Sequence, residues 1–508
     1  MTAIANSLLR AAQQLGSAPA HIGDGPILSW TETVGRTLCL ADGLKKSGLA
    51  PGSRAAILAA NGVDYFELSY ALLMAGIVMV PINTRLAPPE IEEQLADCAA
   101  EALIVDPAFL ALGTEMMTRL PQLTQLIGCN GAAAPQTVDT LRRAGTPLEL
   151  PPGPPSDLAA ILYTGGTTGR PKGVMLSQRA LDHDLACILA DIGWPRGVRY
   201  LHVSPMFHLA DLGPCWATTA LLGTHVWLPR FSVPDLLDYL QQHACSATAL
   251  VPSMIAMMLD EHARNPRDLS ALRHMGYGAA AIGRPLLERL RARFPEISLV
   301  QFYGQTEAGG SFTCLRAEDH VAESPALGSA GRPHAGCRVR ILDHDGRELP
   351  RGEVGEIVGR SNGLFEGYLN QAEATAAALR DGWLHTGDAG FMDEAGYVYV
   401  TDRLKDMIVT GGENVASSEV ETVLMRHPAV TLAAVVGRPD PIWGEAVHAV
   451  ILTDGRTIAE DELRAWCRDR IAGYKCPKSF EFRDALPLSA IGKVRKDLLR
   501  AEVRADVS

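Results

Sequence analysis

The stretch YTGGTTGRPKG, Tyr163–Gly173, crowds glycines and threonines together with two basic side chains. Its neighbours decide what kind of loop it is. LAAIL, before it, reads as a buried strand; VMLSQ, after it, reads as a second strand, with a helix only from about Arg179. A phosphate loop of the G-x-x-x-x-G-K-[ST] kind runs straight into a helix. Here Lys172 follows Pro171 and precedes Gly173, so that pattern fails. The composition still suits an anion: glycines let backbone N–H groups converge, threonine hydroxyls donate, and Lys172 adds charge. The plain alternative is a surface turn.

Outward from this loop, strand-like runs alternate with helical patterns from about residue 32 to 305: RAAILA, VDYFELSYALLMAG, IVMVPIN, later THVWLP, VPDLLDYLQQHA, ATALVP, SMIAMMLDEHA, HMGYG and SLVQFYG. That alternation predicts layered α/β subdomains with largely parallel strands. A proline-rich connector, Thr146–Asp157, stands just before the loop. Around 328–400 the period becomes two, with hairpins predicted at the Asp345-Gly346 turn and within GFMDEAGYVYVTD. After Asp402 a small α+β unit follows. The predicted division is a large domain over 1–402 and a small one over 403–508.

A chain of 508 residues exceeds one compact core. Its net charge of −12 argues against a nucleic-acid partner, which needs a basic face. The ten cysteines show no C-x-x-C, so neither a disulfide framework nor a zinc site is expected, and reduced, mostly buried thiols are. The N-terminus lacks a signal-peptide pattern. The apolar run Leu68–Ile82, broken by Gly76 and Pro81, reads as a buried helix entering a strand rather than a membrane span. A cytoplasmic enzyme, with a homodimer as one arrangement, is the expectation.

Four further segments follow the loop in order: YGQTE (Tyr303–Glu307), GWLHTGD (Gly382–Asp388), DRLKDMIVTGGENV (Asp402–Val415) and IGKVRKDLLR (Ile491–Arg500). With them the chain resembles, over nearly its whole length, the acyl-adenylate-forming superfamily of acyl-CoA synthetases, 4-coumarate-CoA ligases, luciferase and adenylation domains. The resemblance implies ATP, Mg²⁺ and CoA as cofactor and co-substrates, and a small mobile C-terminal domain. It assigns the ATP phosphates to Thr164, Gly165, Gly166, Thr167, Thr168, Gly169 and Lys172, with Gly165 standing where the family usually carries Ser. It places Tyr303 and Gly304 against adenine, with Gly278, Ala279 and Ala280 as its wall. Thr306 would touch phosphate, and Glu307 would ligate Mg²⁺, as a hard cation prefers. Asp388 would hold the ribose hydroxyls, with Arg403 as second anchor. Lys405 is the implied hinge, and Lys493 the lysine that stabilises charge in the first half-reaction.

Two imitations fall away. GYGAAA (Gly276–Ala281) mimics a dinucleotide fingerprint, but no acidic residue ends the next strand, SLVQFYG. His208 with Asp211 could suggest an acid/base pair, but no G-x-S-x-G elbow accompanies it. In PMFHLADLG (Pro205–Gly213), His208 stands where amino-acid-activating relatives carry Asp, which implies an acid without a positive charge on its tail. Asp211 is expected to keep a polar tail open. The implied acyl pocket comprises His208, Leu209, Ala210, Gly278, Gln305, Gly309 and Gly310; its small residues leave room for a long or planar tail. CoA would meet Gly411, Gly412, Trp443, Tyr474, Lys475 and Lys478. Cys476 stands where some relatives carry arginine. The resulting expectation is a carboxylic acid–CoA ligase acting on a medium- or long-chain fatty acid, the alternatives being an aryl or arylpropenoic acid, or a carrier protein as acceptor.

Overall fold

The computed structural model describes residues 2–23, 25–148, 158–164, 171–280, 282–321, 324–410, 413–440, 443–488 and 494–505. Two large sheets carry the alternating part of the chain. One has nine strands, whose inner run is parallel: Ser298–Tyr303, His274–Gly278, Ala247–Leu250, Arg199–His202, Thr224–Trp227 and Pro19–Ile22. The other has eight strands and is parallel from Leu158–Thr164 through Val78–Pro81, Arg54–Leu58, Ala102–Val105 and Gln125–Gly128 to Gln136–Thr137. Beside Leu158–Thr164, Lys172–Ser177 runs antiparallel, setting Thr164 opposite Lys172. The expected strand–loop–strand is therefore a hairpin, and the next helix is Gln178–Asp191. Residues 165–170 of the opening loop, and most of the proline-rich connector, lie outside the described residues.

One hydrophobic core unites both sheets through the helices Trp30–Lys46, Val63–Ala75, Gln178–Asp191 and Leu209–Ala220. Trp30, Phe66, Tyr70, Tyr200 and Trp216 are almost wholly buried in it. The helix Val63–Ala75 is buried along its last eleven residues, which is why its sequence reads as continuously apolar rather than amphipathic. Gly76 ends it with φ +74°, and Val78–Pro81 follows as a strand. Among the described residues no helix is long and apolar enough to cross a membrane. The first helix, Ala3–Leu15, and the strand Pro19–Ile22 were not read from sequence.

The β-rich part is a five-stranded sheet. Cys337–Leu342 pairs antiparallel with Gly355–Ser361, and Trp383–Met392 with Val398–Arg403, giving both predicted hairpins. Beyond it a second five-stranded sheet, built around Val430–Asp440 and Gly444–Thr453, carries the helices Ser417–Met425 and Glu460–Arg468. Where the chain passes from one to the other, Asp402 Oδ2 accepts from both the backbone N–H and the hydroxyl of Ser417, each at 2.6 Å. Its Oδ1 accepts from the Arg403 backbone N–H at 2.8 Å. The Ser418 hydroxyl also reaches the Thr401 carbonyl. All ten cysteines are free thiols, nine of them buried, as the composition implied.

Candidate active site

Parallel α/β sheets place ligands beyond the carboxyl ends of their strands. Tyr303 ends the strand Ser298–Tyr303, and Gly278 ends its neighbour. Ala279, the next residue, takes φ +61°, a left-handed conformation that costs a β-carbon roughly 1–3 kcal/mol and marks strained functional turns. Gly309 likewise turns with φ +76°, and a β-carbon there would fall 2.2 Å from the Gly363 carbonyl oxygen. Only glycine lets the short 3₁₀ turn Thr306–Ala308 lie so close to that backbone.

Three predicted residues meet here. The Tyr303 hydroxyl donates to Asp388 Oδ2 at 2.8 Å, and Arg403 Nε stands 2.7 Å from Asp388 Oδ1. Asp388 and Arg403 are direct cross-strand partners, so the hairpin itself brings carboxylate and guanidinium together. The Thr386 hydroxyl, which donates to the Ile357 carbonyl, also accepts the Asp388 backbone N–H, fixing the turn. Burial, and then the Asp388 charge beside it, hold the Tyr303 hydroxyl well above the ordinary tyrosine range, so it acts as a donor. The Arg403 side chain remains 44 % exposed, which leaves this corner open on one side.

Glu307 and Lys172 form a second group through a residue the motifs did not include. The Tyr368 hydroxyl donates to Glu307 Oε1 at 2.8 Å, and Lys172 Nζ stands 4.7 Å from the centre of the same ring. Tyr368 arrives on the two-residue strand that pairs with Val174 and Met175, next to Lys172. A buried carboxylate needs a donor, but no sequence period announces which one. Thr164 and Lys172 sit at the two mouths of the hairpin; Gly165, Gly166, Thr167, Thr168 and Gly169 lie outside the described residues. So do Gly411, Gly412 and Lys493. Lys405 lies in the 3₁₀ turn Leu404–Asp406.

His208 caps the helix Leu209–Ala220, and its ring packs 4.7 Å from that of Phe207. Asp211, which kept a polar-tailed acid open in the sequence, does not face solvent. Asp211 is fully buried, with Oδ2 3.0 Å from His202 Nδ1, so burial and the imidazole compete for its charge and burial pushes its carboxyl upward. His202 Nε2 in turn meets His225 Nδ1 at 2.9 Å, and His225 Nε2 meets the Thr219 hydroxyl at 3.2 Å. Asn61 joins this network to the site. Its amide nitrogen donates to the Ser204 carbonyl at 2.7 Å, and its amide oxygen accepts from the Met206 backbone N–H at 2.8 Å, holding the segment that presents His208.

The Gly309–Gly310 wall is backed by another buried carboxylate. Asp184 Oδ1 accepts from the Ser311 N–H at 3.0 Å, the Ser311 hydroxyl meets His334 Nε2 at 3.0 Å, and His334 Nδ1 meets Asp191 at 2.5 Å. A β-carbon at Gly310 would fall 2.1 Å from Asp184 Oδ1, so no gap separates wall and carboxylate. Burial pushes the Asp184 carboxyl up to about 6, partly offset by the Ser311 N–H.

Of the predicted CoA residues, Trp443 and Tyr474 are exposed, at 47 % and 41 %. Lys478 Nζ stands 5.7 Å over the Trp443 ring, whereas Lys475 is tied at 2.8 Å to both oxygens of Glu419. A separate cleft of about 490 Å³ on the antiparallel sheet, lined by Arg332, Arg338, Arg340, Arg351 and Trp383, contains none of the predicted residues.

The AMP-binding enzyme family matches residues 8–369, and its C-terminal domain family matches 419–493. The chain belongs to this family, within the acyl-adenylate-forming superfamily, and its class is that of the AMP-forming acyl-CoA synthetases. It is 38 % identical to the feruloyl-CoA synthase of an Amycolatopsis species, over 98 % of this chain and 97 % of that protein. A fatty acid–[acyl-carrier-protein] ligase of Streptomyces coeruleorubidus is 36 % identical, over 97 % and 94 %. Among solved structures, an amide bond synthetase of Marinactinospora thermotolerans superposes with a TM-score of 0.88 at 30 % identity, covering 98 % of this chain and 99 % of the other.

Proposed function

We propose that this acid–CoA ligase activates a compact acid with a planar aryl or arylpropenoic tail, in two half-reactions. The choice rests on two hydrogen-bonded networks that lie next to residues of the implied pocket. Asp184 with Ser311 stands directly behind Gly310, and Asp211, in the first turn of the helix that starts at Leu209, is buried against His202. A long alkyl tail extended past either would have to break into these paired groups, and leaving one of them buried without a partner costs about 1–3 kcal/mol. The 38 % identity to a feruloyl-CoA synthase supports the same reading. The fatty-acid reading has the 36 % identical fatty acid ligase in its favour and stands second.

In the first half-reaction the acid's carboxylate attacks the α-phosphorus of ATP, giving acyl-AMP and releasing pyrophosphate. Asp388 would orient the ribose, with Tyr303 and Arg403 fixing its rotamer. Lys172 and the glycine-rich loop would hold the phosphates, Thr306 would add a donor to them, and Lys493 would neutralise charge as it moves between carboxylate and phosphate. Glu307 suits Mg²⁺: one buried carboxylate, steadied by the Tyr368 hydroxyl, beside a lysine that would face the same phosphates. Bound there, the ion would withdraw charge from the leaving pyrophosphate. In the second half-reaction, residues 403–508 would turn about Lys405, withdrawing Lys493 and admitting the CoA thiol, whose sulfur displaces AMP from the acyl carbon. Trp443, Tyr474 and Lys478 supply exposed rings and charge for the CoA nucleotide.

The test is AMP and acyl-CoA formation across C2–C18 fatty, benzoic, cinnamic and polar-tailed acids, each with and without CoA. Preference for cinnamic or benzoic acids supports the reading, and preference for fatty acids of about twelve carbons or more overturns it. Lys493→Ala separates the steps: adenylation should fall by orders of magnitude while thioester formation from supplied acyl-AMP survives. Equal loss of both would remove the two-conformation assignment.

A further inference from the structure

Cysteine spacing in the sequence offers no metal motif, yet the fold assembles one. His183 and Cys187 are four residues apart on the helix Gln178–Asp191, hence on one face. Cys337, 154 positions beyond His183, opens the strand Cys337–Leu342 and comes to the same point. His183 Nε2 lies 3.5 Å from Cys187 Sγ and 3.8 Å from Cys337 Sγ. The three donor atoms all lie within 4.8 Å of one another. Tetrahedral zinc holds thiolate sulfur at about 2.3 Å and imidazole nitrogen at about 2.0–2.1 Å, which sets nitrogen and sulfur about 3.6 Å apart. The two N···S distances observed straddle that edge.

The ligands are also held in place. A β-carbon at Gly336 would fall 2.4 Å from His183 Cε1, and one at Gly363 would fall 3.0 Å from His183 Cδ2, so the ring is seated between two bare stretches of backbone. Such fixing of a ligand's orientation is what metal sites require of their surroundings. The thiols are 5 % and 8 % exposed, while His183 is partly exposed and gives the point of entry. The other group of similar composition, His202, Cys215 and His225, is a poorer candidate. There both nitrogens of each ring are already engaged, with Asp211, with each other and with Thr219.

We propose that His183, Cys187 and Cys337 form a binding site for a soft divalent metal of the zinc(II) class, with water at the fourth position. Binding exchanges up to two thiol protons for one ion and staples the helix Gln178–Asp191 to the antiparallel sheet. The staple lies against the Ser311 carbonyl, 4.0 Å from Cys337 Sγ, just behind the Gly309–Gly310 wall.

The same distances serve S–H···N hydrogen bonds, so occupancy decides the matter. The full chain, reduced and stripped with chelator, is titrated with Co²⁺. The expected result is one ion per chain, visible d–d bands of a tetrahedral site, and thiolate-to-cobalt charge-transfer absorption, all displaced by Zn²⁺. The double variant Cys187→Ser/Cys337→Ser should lose the charge-transfer band, and Cys215→Ser should keep it. Zn²⁺ should raise the melting temperature of the wild-type chain, as any ligand selective for the folded state does, and should leave the double variant unmoved. Absence of the charge-transfer band from the wild type, or its survival in the double variant, overturns the site. Should the double variant not fold, alkylation of the wild type gives the answer. Zn²⁺ must slow labelling of Cys187 and Cys337 relative to the other thiols, and unchanged rates at both overturn the proposal.

Discussion

The corner around Asp388 and the chain around Asp211 are built from similar parts in opposite settings. Each sets a carboxylate beside a nitrogen-bearing side chain and a tyrosine: Arg403 and Tyr303 at the first, His202 and Tyr200 at the second. Asp388 stands at strand ends, and its arginine is 44 % exposed. Asp211 and His202 are sealed in the core at about zero exposure, with the imidazole passing its second nitrogen to His225. Where water reaches one side, a polar cluster has somewhere to put a ligand; where it does not, the cluster's bonds go to holding the fold. The same residue types therefore predict different phenotypes.

The largest effect should fall on the sealed network. Asp211→Ala leaves the His202 Nδ1 buried without its partner, at a cost of about 3–5 kcal/mol. Denaturant unfolding of the purified variant would measure it, with Asp211→Asn recovering part of the loss. A change below about 1 kcal/mol would dissolve the distinction between the two regions. Asp388→Ala should reverse the pattern. Folding stability should move little, while kcat/KM for ATP falls about 100-fold or more, the worth of one or two charge-assisted hydrogen bonds.

The next effect is one of pH. Burial, then the nearby His202 and Arg36 charges, hold the His21 imidazole down to about 3. His225 is lowered in the same direction by the same leading cause. A histidine whose folded pKa lies below its unfolded value stabilises fully above about 6.5 and loses that contribution as the pH falls. Each should cost about 1.4 kcal/mol per pH unit between about 6.5 and its folded value. His21→Asn keeps an acceptor for the Trp227 indole N–H, which now reaches His21 Nδ1 at 3.2 Å. It should flatten the acid side of the stability profile, and an unchanged slope would show that the sealed rings do not titrate as a buried set. Smallest in free energy is Trp443→Ala: stability within about 0.5 kcal/mol, as for an exposed side chain, with the KM for CoA raised several-fold. A KM that does not move would take the exposed ring out of the CoA site.

Sequence legibility followed the same division. Strands that alternate with helices, and motifs that end strands, were readable because period and position are local properties: Tyr303, Asp388 and Arg403, picked out on three separate motifs, stand together in the fold. Partners supplied by distant segments were not. Tyr368 reaches Glu307 from a two-residue strand that no period reveals. Asp211 looked available because nothing nearby in sequence says that His202 lies within hydrogen-bond reach of it. The helix Ala3–Leu15 went unread although its signal was present: Ile4, Ala5, Leu8 and Ala11 recur at helical spacing behind a Thr2 cap.

The bonds around Asp402 bear on timing as well as architecture. Asp402 lies before Lys405 and Ser417 after it, so any turn about that lysine separates a carboxylate from two donors now 2.6 Å away, and Ser418 from the Thr401 carbonyl. The proposed rotation would then be an activated event with its own barrier, slower the better these contacts fit. Turnover in such a molecule would be governed by how long the chain dwells in each arrangement, and a single serine at a helix start would act as its clock.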